Sequence, residues 1–438
     1  MKTIDLAIHA DWVITVDADN RVLESQSILV DKGQILDIVP TDSVNKSYSA
    51  RDESSLPGHA LIPGLINSHT HAAMTLLRGY ADDLPLMEWL QNHIWPAEGR
   101  WVDQQFVTDG TQLAIAEMIK GGTTCFNDMY FFPDAAARTA SQAGMRAVVG
   151  LIVLDFPTVW ASDANEYIAK GTALHDEVRN MPLITTAFAP HAPYTVSAAP
   201  LQKIAALSHE LEIPVHIHLH ETIGEVEQFI AQHGVRPFQR LDELGLVSPS
   251  LLAVHMTQLE EDEIARVAEA GTHILHCPEA NMKLANGFCP IKSLLEAGCN
   301  IALGTDGAAS NNDLDMFGEM RSAALIAKGS SRDASVFNAN EVLRATTINA
   351  ARALNLEAQI GSLEAGKSAD IVAVNFDRCA LQPVYDPVSH LVYAAGRDDV
   401  SNVWVAGKQL LEDARLTTID ESAVIAEAKQ WRDKIASA

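Results

Sequence analysis

The stretch LIPGLINSHTH, from Leu61 to His71, ends in two histidines that are separated by one residue. Side chains alternate faces along a strand, so His69 and His71 lie on the same side of an extended chain and can bind one ion. The apolar run from Ala60 to Ile66 predicts a buried strand. The polar residues follow at its carboxyl end, where α/β barrels carry their chemistry. Two unrelated loop histidines would give the same short pattern, and the rest of the chain distinguishes the two interpretations.

Short apolar strands alternate with longer helical patterns from about residue 60 onward. This alternation is typical of repeated βα units, and eight such units form a (β/α)8 TIM-like barrel of about 250 residues. The eight predicted strands are Ala60–Ile66, Thr123–Asn127, Ala147–Val153, Ile184–Ala189, Val215–Leu219, Leu251–His255, His273–His276 and Ile301–Gly304. The sequence therefore predicts an α/β fold with a complete barrel in the middle of the chain.

Both ends of the chain have the sequence pattern of a small antiparallel β structure. Residues 4–39 contain short apolar runs broken by hairpin signals, and Ala369–Asn375 and Val403–Leu411 read as strands before a terminal helix, Glu421–Ser437. Each end alone has too few strands to bury a face, so we expect both to build one small β-sandwich domain. The predicted division is 1–58 for its N-terminal part, 59–358 for the barrel and 359–438 for its C-terminal part with the helix.

The composition argues against several classes of partner. The formal net charge is −26, and binding to nucleic acids or anionic membranes depends on Lys and Arg that neutralise phosphate. No run of about 18 apolar residues is present to span a bilayer. Acidic residues come too early in MKTIDLAIHADW for a signal peptide, and the five cysteines, an odd number without paired spacing, suit reduced thiols. We expect a cytoplasmic protein that binds a neutral or cationic small molecule.

Polar residues follow the predicted barrel strands at the ends where they would converge. They are His69 and His71 after strand 1, His191 after strand 4, His218 and Glu221 at strand 5, His255 at strand 6, His276 at strand 7 and Asp306 at strand 8. Three imidazoles and one carboxylate match the ligand set of a catalytic zinc that keeps an open position for water. Zinc lowers the pKa of that water to about 7, and His and Asp ligands also suit other divalent ions. The sequence thus predicts a metal site that activates water.

These motifs carry a resemblance to a known family. The chain resembles the amidohydrolase superfamily in its HTH after strand 1, its histidines on strands 5 and 6, and its GTDG on strand 8. Within it, the chain is similar to the 5-methylthioadenosine/S-adenosylhomocysteine deaminases over essentially its whole length. The most specific matches are PGLINSHTHAAMTLLRGYADDLPLMEWL, HIHLHET, HCPEANMKLANG and GTDGAASNNDLDMFGEMR. The closing GSLEAGKSADIVAVN matches the whole superfamily and supports only the fold.

The resemblance implies a set of metal ligands. They are His69, His71, His218 and Asp306, holding one Zn2+ or another divalent ion. His218 is selected because it matches the family pattern H-x-x-E, which ends here at Glu221. Spacing alone leaves His216 and His220 open, since all three histidines point the same way along a strand; we expect those two to be structural or adjacent to the ligands. Strand 4 offers neither the lysine nor the glutamate that bridges two metals, so one metal is expected.

The resemblance also implies roles in hydrolytic deamination. Adding hydroxide at C6 of adenine requires a proton for ring N1 and a proton for the departing ammonia. Glu221 is expected to protonate N1 as a general acid. Asp306 would take the water proton and pass it to the amine, while His255 would orient the attacking hydroxide. Glu98 is implied at the ribose hydroxyls and His191 near the ribose or the base, so that substrate binding involves Glu98, His191, Glu221 and Asp306.

The segment after strand 3 bears on the substrate. Relatives that accept S-adenosylhomocysteine use an arginine there for its carboxylate, but this chain reads GMRAVVGLIVLDFPTVWASD. A buried carboxylate without a partner is costly, whereas a thioether packs well against aromatic rings such as Phe156 and Trp160. We therefore predict a preference for 5′-methylthioadenosine, with S-adenosylhomocysteine or adenosine as further substrates, and expect Arg146 in GMRA to be structural.

Other interpretations remain open at this point. A hydrolase of the same fold could act on guanine, cytosine or a chlorotriazine, and a barrel that had lost its chemistry could be a scaffold. GSLEAGKS, residues 361–368, matches a P-loop pattern, but it runs into a strand instead of opening a helix, so it does not predict phosphate binding. A barrel with a companion β domain commonly pairs with itself, and a homo-oligomer is expected.

Overall fold

Two eight-stranded sheets contain the strands of residues 1–437, which are the residues that the computed structural model describes. The N-terminal strands are β1 (Lys2–Ile14), β2 (Val22–Asp31), β3 (Gln34–Pro40) and β4 (Tyr48–Pro63). The barrel strands are β5 (Leu65–Thr70), β6 (Thr123–Asp128), β7 (Arg146–Val153), β8 (Ile184–Pro190), β9 (Val215–Leu219), β10 (Leu251–His255), β11 (His273–His276) and β12 (Asn300–Leu303). The C-terminal strands are β13 (Ile371–Asn375), β14 (Val400–Val405), β15 (Lys408–Glu412) and β16 (Arg415–Leu416).

The strands β5 to β12 form the predicted barrel. Each is parallel to the next along the chain, and apolar side chains from these strands fill the interior. The first and last strands meet where Ser68 Oγ donates to the Leu303 carbonyl at 2.6 Å, and where Asp306 N–H donates to the His69 carbonyl at 3.0 Å. The (β/α)8 architecture is confirmed, and its closure brings the first histidines beside the last strand.

Helices surround the barrel and cover the ends of the sheets. They are α1 (Val44–Ser47), α2 (Leu86–Trp89), α3 (Trp95–Trp101), α4 (Gln104–Lys120), α5 (Pro133–Ala143), α6 (Ala164–Val178), α7 (Ala198–Leu211), α8 (Ile223–His233), α9 (Pro237–Glu243), α10 (Glu261–Ala270), α11 (Pro278–Lys283), α12 (Ile291–Glu296), α13 (Met316–Ser331), α14 (Ala339–Ala345), α15 (Ile348–Ala353), α16 (Pro387–Tyr393) and α17 (Glu421–Ala436). Several begin at a side-chain cap; Asp103, for example, accepts from the Phe106 N–H at 2.8 Å. A π-helical turn, Leu90–Ile94, joins α2 to α3. Within residues 1–437, no helix is both long and apolar enough to cross a membrane.

The first predicted barrel strand, Ala60–Ile66, is wrong in its boundaries. Its first half ends β4 in the other sheet, and β5 begins only at Leu65 and runs to Thr70. Gly64 lies between the two strands, where the backbone passes close to Thr124. A Cβ atom at that position would lie 1.9 Å from Thr124 Oγ1. The backbone can pass between the sheets only at a residue without a side chain. An unbroken apolar run concealed this crossing.

The companion sheet joins both ends of the chain, as predicted. It is one mixed sheet with the order β16-β15-β14-β13-β4-β1-β2-β3, in which β13 is antiparallel to β4 and pairs Ile371 with Pro63. A buried ion pair ties this sheet to the barrel, since Arg146 Nε on β7 lies 2.9 Å from Asp370 Oδ2, next to β13. Arg146 is therefore a structural residue, in agreement with the sequence analysis.

Candidate active site

Four side chains converge at the carboxyl ends of the barrel strands. They are His69 on β5, His71 directly after it, His218 on β9 and Asp306 in the loop after β12. One potential ligand atom from each lies within 4.8 Å of all the others. The Nε2 atoms of His69 and His71 are each 3.1 Å from Asp306 Oδ1. The predicted ligand set is therefore the set that the fold assembles.

The three imidazoles are oriented by contacts at their other ring nitrogen. These contacts are His71 Nδ1 with the Met129 carbonyl (2.6 Å), His218 Nδ1 with the His191 carbonyl (2.8 Å) and His69 Nδ1 with His216 Nε2 (2.8 Å). A carbonyl oxygen only accepts, so His71 and His218 carry hydrogen on Nδ1, and in the neutral form of each ring the lone pair is on Nε2. This arrangement is typical of metal-binding histidines, and the four side chains fit one divalent cation.

The electrostatics of the cluster favour a cation. Burial opposes ionisation of Asp306, but hydrogen bonds with His69 and His71 outweigh it and hold the pKa of Asp306 well below its ordinary value. Burial likewise opposes a charge on His71, yet the hydrogen bond to Asp306 raises the pKa of His71 to about 9. Burial lowers the pKa of His69 to about 4 and that of His218 well below its usual range. The cluster thus joins an ionised carboxylate to the neutral imidazoles of His69 and His218 and to a protonated His71, whose extra proton a bound metal would displace.

Glu221 and His255 lie beside the cluster. Glu221 is 5% exposed, and burial raises the pKa of its carboxyl to about 8, so the group holds a proton at neutral pH. His255 Nε2 lies 3.7 Å from Glu221 Oε1. His255 and Asp306 both have left-handed backbone conformations, with φ of 72° and 63°. Such strain at the ends of two strands is a feature of functional sites, because it directs side chains that a regular strand would misplace.

A cavity of about 360 Å³ lies over these residues. Glu98 on α3 and His191 after β8 contribute to its wall, together with Phe156 and Trp160. Burial raises the pKa of Glu98 to about 7, against the opposing effect of the Tyr130 hydroxyl. Within the described part of the chain, no residue that lines the cavity is Lys or Arg. The wall is therefore mostly aromatic and aliphatic, with a few acidic and imidazole groups near the cluster.

The neighbouring histidines separate by position. His216 contacts a ligand, whereas His220 accepts from the Phe238 N–H at 3.2 Å and lies 3.6 Å from Glu263. His276, at the end of β11, is buried and does not line the cavity. The structure thus gives these histidines different roles, which their spacing in the sequence alone could not distinguish.

Three polar residues of the site were missed from the sequence. Ser310 Oγ donates to Asp306 Oδ2 at 2.8 Å, Asn281 Oδ1 lies 2.9 Å from His255 Nδ1, and Asn286 Nδ2 donates to Glu221 Oε1 at 2.9 Å. The segment HCPEANMKLANG contains both asparagines and was singled out as a family match. Amide side chains have no periodic pattern, however, and no sequence rule gives their partners.

Comparison with known proteins agrees with this geometry. The amidohydrolase family model matches residues 60–410. The chain belongs to the amidohydrolase family. This amidohydrolase is 50% identical over 433 residues to the 5-methylthioadenosine/S-adenosylhomocysteine deaminase of Teredinibacter turnerae, covering 99% of this chain and 98% of that protein. It is 44% identical over 421 residues to the enzyme of the same name from Syntrophobacter fumaroxidans, covering 96% of each.

Solved structures give the same result for this amidohydrolase. An adenosine deaminase from Xanthomonas campestris with bound zinc superposes with a TM-score of 0.98 at 50% identity, covering 100% of both chains. Atrazine chlorohydrolase from Arthrobacter aurescens superposes with a TM-score of 0.90 at 24% identity, covering 97% of this chain and 99% of that chain. The second likeness shows the fold alone. The resemblance that the sequence motifs indicated is confirmed.

Proposed function

We propose that this amidohydrolase is a zinc-dependent deaminase of adenine nucleosides that prefers 5′-methylthioadenosine. It would convert the 6-amino group of adenine to a carbonyl, giving the inosine analogue and ammonia. The observation that carries the proposal is a three-histidine, one-carboxylate cluster that lines a cavity beside the buried Glu221, whose carboxyl pKa burial raises to about 8. The deaminases that are up to 50% identical over nearly the whole chain support the same reaction.

His69, His71, His218 and Asp306 would hold one zinc ion. When bound, zinc lowers the pKa of a coordinated water to about 7 and so makes hydroxide available at neutral pH. The zinc in the structural neighbour from Xanthomonas campestris supports this choice of metal. The protein residues then manage the protons of the reaction.

Glu221 gives its proton to N1 of the ring, which makes C6 more electrophilic. Asp306 takes one proton of the attacking water and gives it to the amine as the C6–N bond breaks. The second water proton returns to Glu221 when the C6 carbonyl forms, so the protein ends the cycle as it began. His255 hydrogen-bonds to the water and orients it. Each of these residues lines the cavity, and His255 is 1% exposed.

The remaining cavity would bind the nucleoside. Glu98 lines it from α3, and its carboxylate would accept hydrogen bonds from the ribose hydroxyls. His191 would lie near the ribose or the base, with its Nδ1 held 3.1 Å from Thr195 Oγ1. The substrate is thus a small molecule that binds at the carboxyl ends of the barrel strands.

The preference for 5′-methylthioadenosine follows from the wall beyond the ribose. Phe156, Val159 and Trp160 line that wall, and no described lining residue is a cation that could pair with an amino-acid carboxylate. A methylthio group gains from contact with aromatic rings, whereas the carboxylate of S-adenosylhomocysteine would lose water without gaining a partner. Adenosine is the second candidate, because the structural neighbour at 50% identity is an adenosine deaminase.

The test measures deamination directly. Zinc-loaded protein is mixed separately with 5′-methylthioadenosine, S-adenosylhomocysteine, adenosine and guanine, and the adenine-to-hypoxanthine change in absorbance and the release of ammonia are followed. We expect kcat/KM to be highest for 5′-methylthioadenosine and guanine to be untouched. Equal kcat/KM for S-adenosylhomocysteine would contradict the preference, and no turnover of any adenine nucleoside would contradict the function.

A pair of variants tests the wall itself. Val159 lines the cavity and is 63% exposed, so a longer side chain fits there without disturbing the core. Val159→Arg should raise kcat/KM for S-adenosylhomocysteine relative to 5′-methylthioadenosine, since it supplies the missing cation. Val159→Gln, which is polar but neutral, is the control. If both variants changed the ratio equally, polarity and not charge would be responsible.

A further inference from the structure

The loop after β11 contacts both His255 and Glu221. Asn281, on α11, is 2% exposed, and Asn286, three residues beyond α11, is 6% exposed. The two are joined directly, because Asn286 N–H donates to the Asn281 carbonyl at 2.9 Å. The Asn286 carbonyl in turn accepts from Gln258 Nε2 at 2.8 Å. The loop is therefore fixed against the end of β10, and its two amides cannot shift independently.

Asn281 determines the tautomer of His255. Its Oδ1 atom lies 2.9 Å from His255 Nδ1, and an amide oxygen can only accept, so Nδ1 carries the hydrogen. In the neutral imidazole the lone pair is then on Nε2, and the distance of 3.7 Å from Nε2 to Glu221 Oε1 is too long for a hydrogen bond between them. His255 thus presents an acceptor to the cavity that it lines.

Asn286 distinguishes the two oxygens of Glu221. Its Nδ2 atom lies 2.9 Å from Oε1, and an amide nitrogen can only donate, so Oε1 must present a lone pair. When Glu221 is neutral, its hydrogen is therefore on Oε2. No residue in the described part of the chain makes a hydrogen bond with Oε2. The acidic hydrogen is left for a ligand in the cavity.

We propose that Asn281 and Asn286 are positioning residues for deamination: Asn281 keeps Nε2 of His255 as an acceptor, and Asn286 keeps the transferable proton of Glu221 on Oε2. This inference rests on the proposed function. In the proton transfer, the Oε2–H bond breaks as the N1–H bond forms, and its electron pair stays on Glu221. The Asn286 N–H on Oε1 then stabilises the new carboxylate, so the same contact serves before and after the transfer.

Asn281 acts as an acceptor and Asn286 as a donor, so a change to aspartate at each position tests both roles. Aspartate keeps the acceptor oxygen of Asn281 but lacks the donor N–H of Asn286. Asn281→Asp should therefore retain kcat within about threefold, whereas Asn281→Leu should lower it at least about tenfold. Asn286→Asp and Asn286→Leu should both lower kcat at least about tenfold, with KM changed less than about threefold. Asn165→Asp, on the exposed face of α6, controls for the added charge.

The results that would overturn the inference are definite. If Asp were tolerated at both positions, Asn286 would not be acting as a donor; if Asp were equally harmful at both, the loop would be merely structural. A double-mutant cycle keeps the test valid where an Asp variant unfolds: in Glu221→Gln, Asn286→Leu should cause little further loss of kcat. Multiplying losses would show that Asn286 does not act through Glu221.

The same experiments separate this inference from the proposed function. If Glu221→Gln abolishes deamination while both Leu variants keep the native kcat, the inference fails and the proposed function stands. If Glu221→Gln deaminates at the native rate, the proposed acid is wrong, whatever the asparagine variants do. Melting temperature and zinc content are measured for every variant, so that loss of fold or metal is not read as loss of positioning.

Discussion

The Nδ1 atom of His69 lies 2.8 Å from Nε2 of His216, and both imidazoles are completely buried. With Nε2 of His69 facing the metal cluster, its Nδ1 must carry the hydrogen and donate it to His216. His216→Leu removes that acceptor and should lower zinc affinity about 10–100-fold. Competition with a chromophoric chelator measures the affinity.

His220 is the matched control for this prediction. It lies directly after β9, two residues beyond His218, but it accepts from the Phe238 N–H instead of contacting the cluster. His220→Leu should lower the melting temperature and leave zinc affinity unchanged. Equal losses of zinc affinity in the two variants would mean that His216 acts only through packing.

Removal of the metal should reduce stability by an amount set by zinc concentration. The ligand atoms come from β5, β9 and the loop after β12, so a bound ion links distant parts of the barrel. Binding only to the folded state stabilises it by about 1.4 kcal/mol for each tenfold rise of free zinc above the dissociation constant. Chemical unfolding at buffered zinc concentrations measures this slope. Asp306→Ala should abolish the dependence, and a persistent slope in that variant would place the zinc elsewhere.

Glu98 predicts a pH dependence of substrate binding. Because burial raises the pKa of its carboxyl to about 7, Glu98 is mostly protonated below that pH and ionised above it. The ionised form accepts hydrogen bonds from the ribose on both oxygens more strongly than the neutral acid does, so KM should rise as pH falls from about 8 to about 6. Steady-state kinetics across this range check the prediction. Glu98→Gln should show a KM that is higher but nearly constant with pH.

The raised pKa of Glu98 also makes the stability of the fold depend on pH. The folded state holds the Glu98 proton more tightly than the unfolded state, whose pKa is near 4.5, so this residue destabilises the fold increasingly as pH rises from about 4.5 to about 7. Relative to the native protein, Glu98→Gln should therefore gain free energy of unfolding across that window. A constant difference would show that the carboxyl is not held in its protonated form.

The ion pair between Arg146 and Asp370 should dominate the attachment of the companion sheet. Both side chains are almost completely buried, at 5% and 2% exposure, and Arg146 Nη2 also lies 3.1 Å from Asp370 Oδ1. Arg146→Met leaves a buried carboxylate without its cation and should cost about 3–5 kcal/mol of unfolding free energy in urea. Adding Asp370→Asn should recover part of this loss. If the single and double variants were equally unstable, the charge would not be the cause.

Much of the fold and the cluster could be predicted because their signals are periodic. Histidines at spacing two must share a face of a strand, and eight alternating units must close a barrel, so His69, His71 and Asp306 were expected together. The choice of His218 came from the family pattern alone, since His216 and His220 have the same strand parity. The structural difference between His218 and these two histidines appears only in the closed barrel, where His218 alone of the three joins the metal cluster.

The missed features lack a periodic signal. The end of β4 and the start of β5 read as one apolar run, and only the clash between a Cβ at Gly64 and Thr124 shows where they divide. Asn281 and Asn286 act through single contacts that depend on the tertiary arrangement of a loop. The domain boundaries after residues 58 and 358, the homo-oligomer and the cytoplasmic location stay predictions, which limited proteolysis, light scattering and cell fractionation would test.

The crossing at Gly64 also bears on the timing of synthesis. It joins β4 to β5, the strand that leads to His69 and His71. The neighbour of β4 in the sheet, β13, is made about 300 residues later, as the pairing of Pro63 with Ile371 shows. At about 5–20 residues per second, a ribosome needs about 15–60 s to cover that distance. Throughout this interval the edge of β4 that later pairs with β13 has no partner, although the other edge can pair with β1, and the last ligand is synthesised only shortly before β13. We expect the nascent chain to acquire its metal late, when its two ends have met.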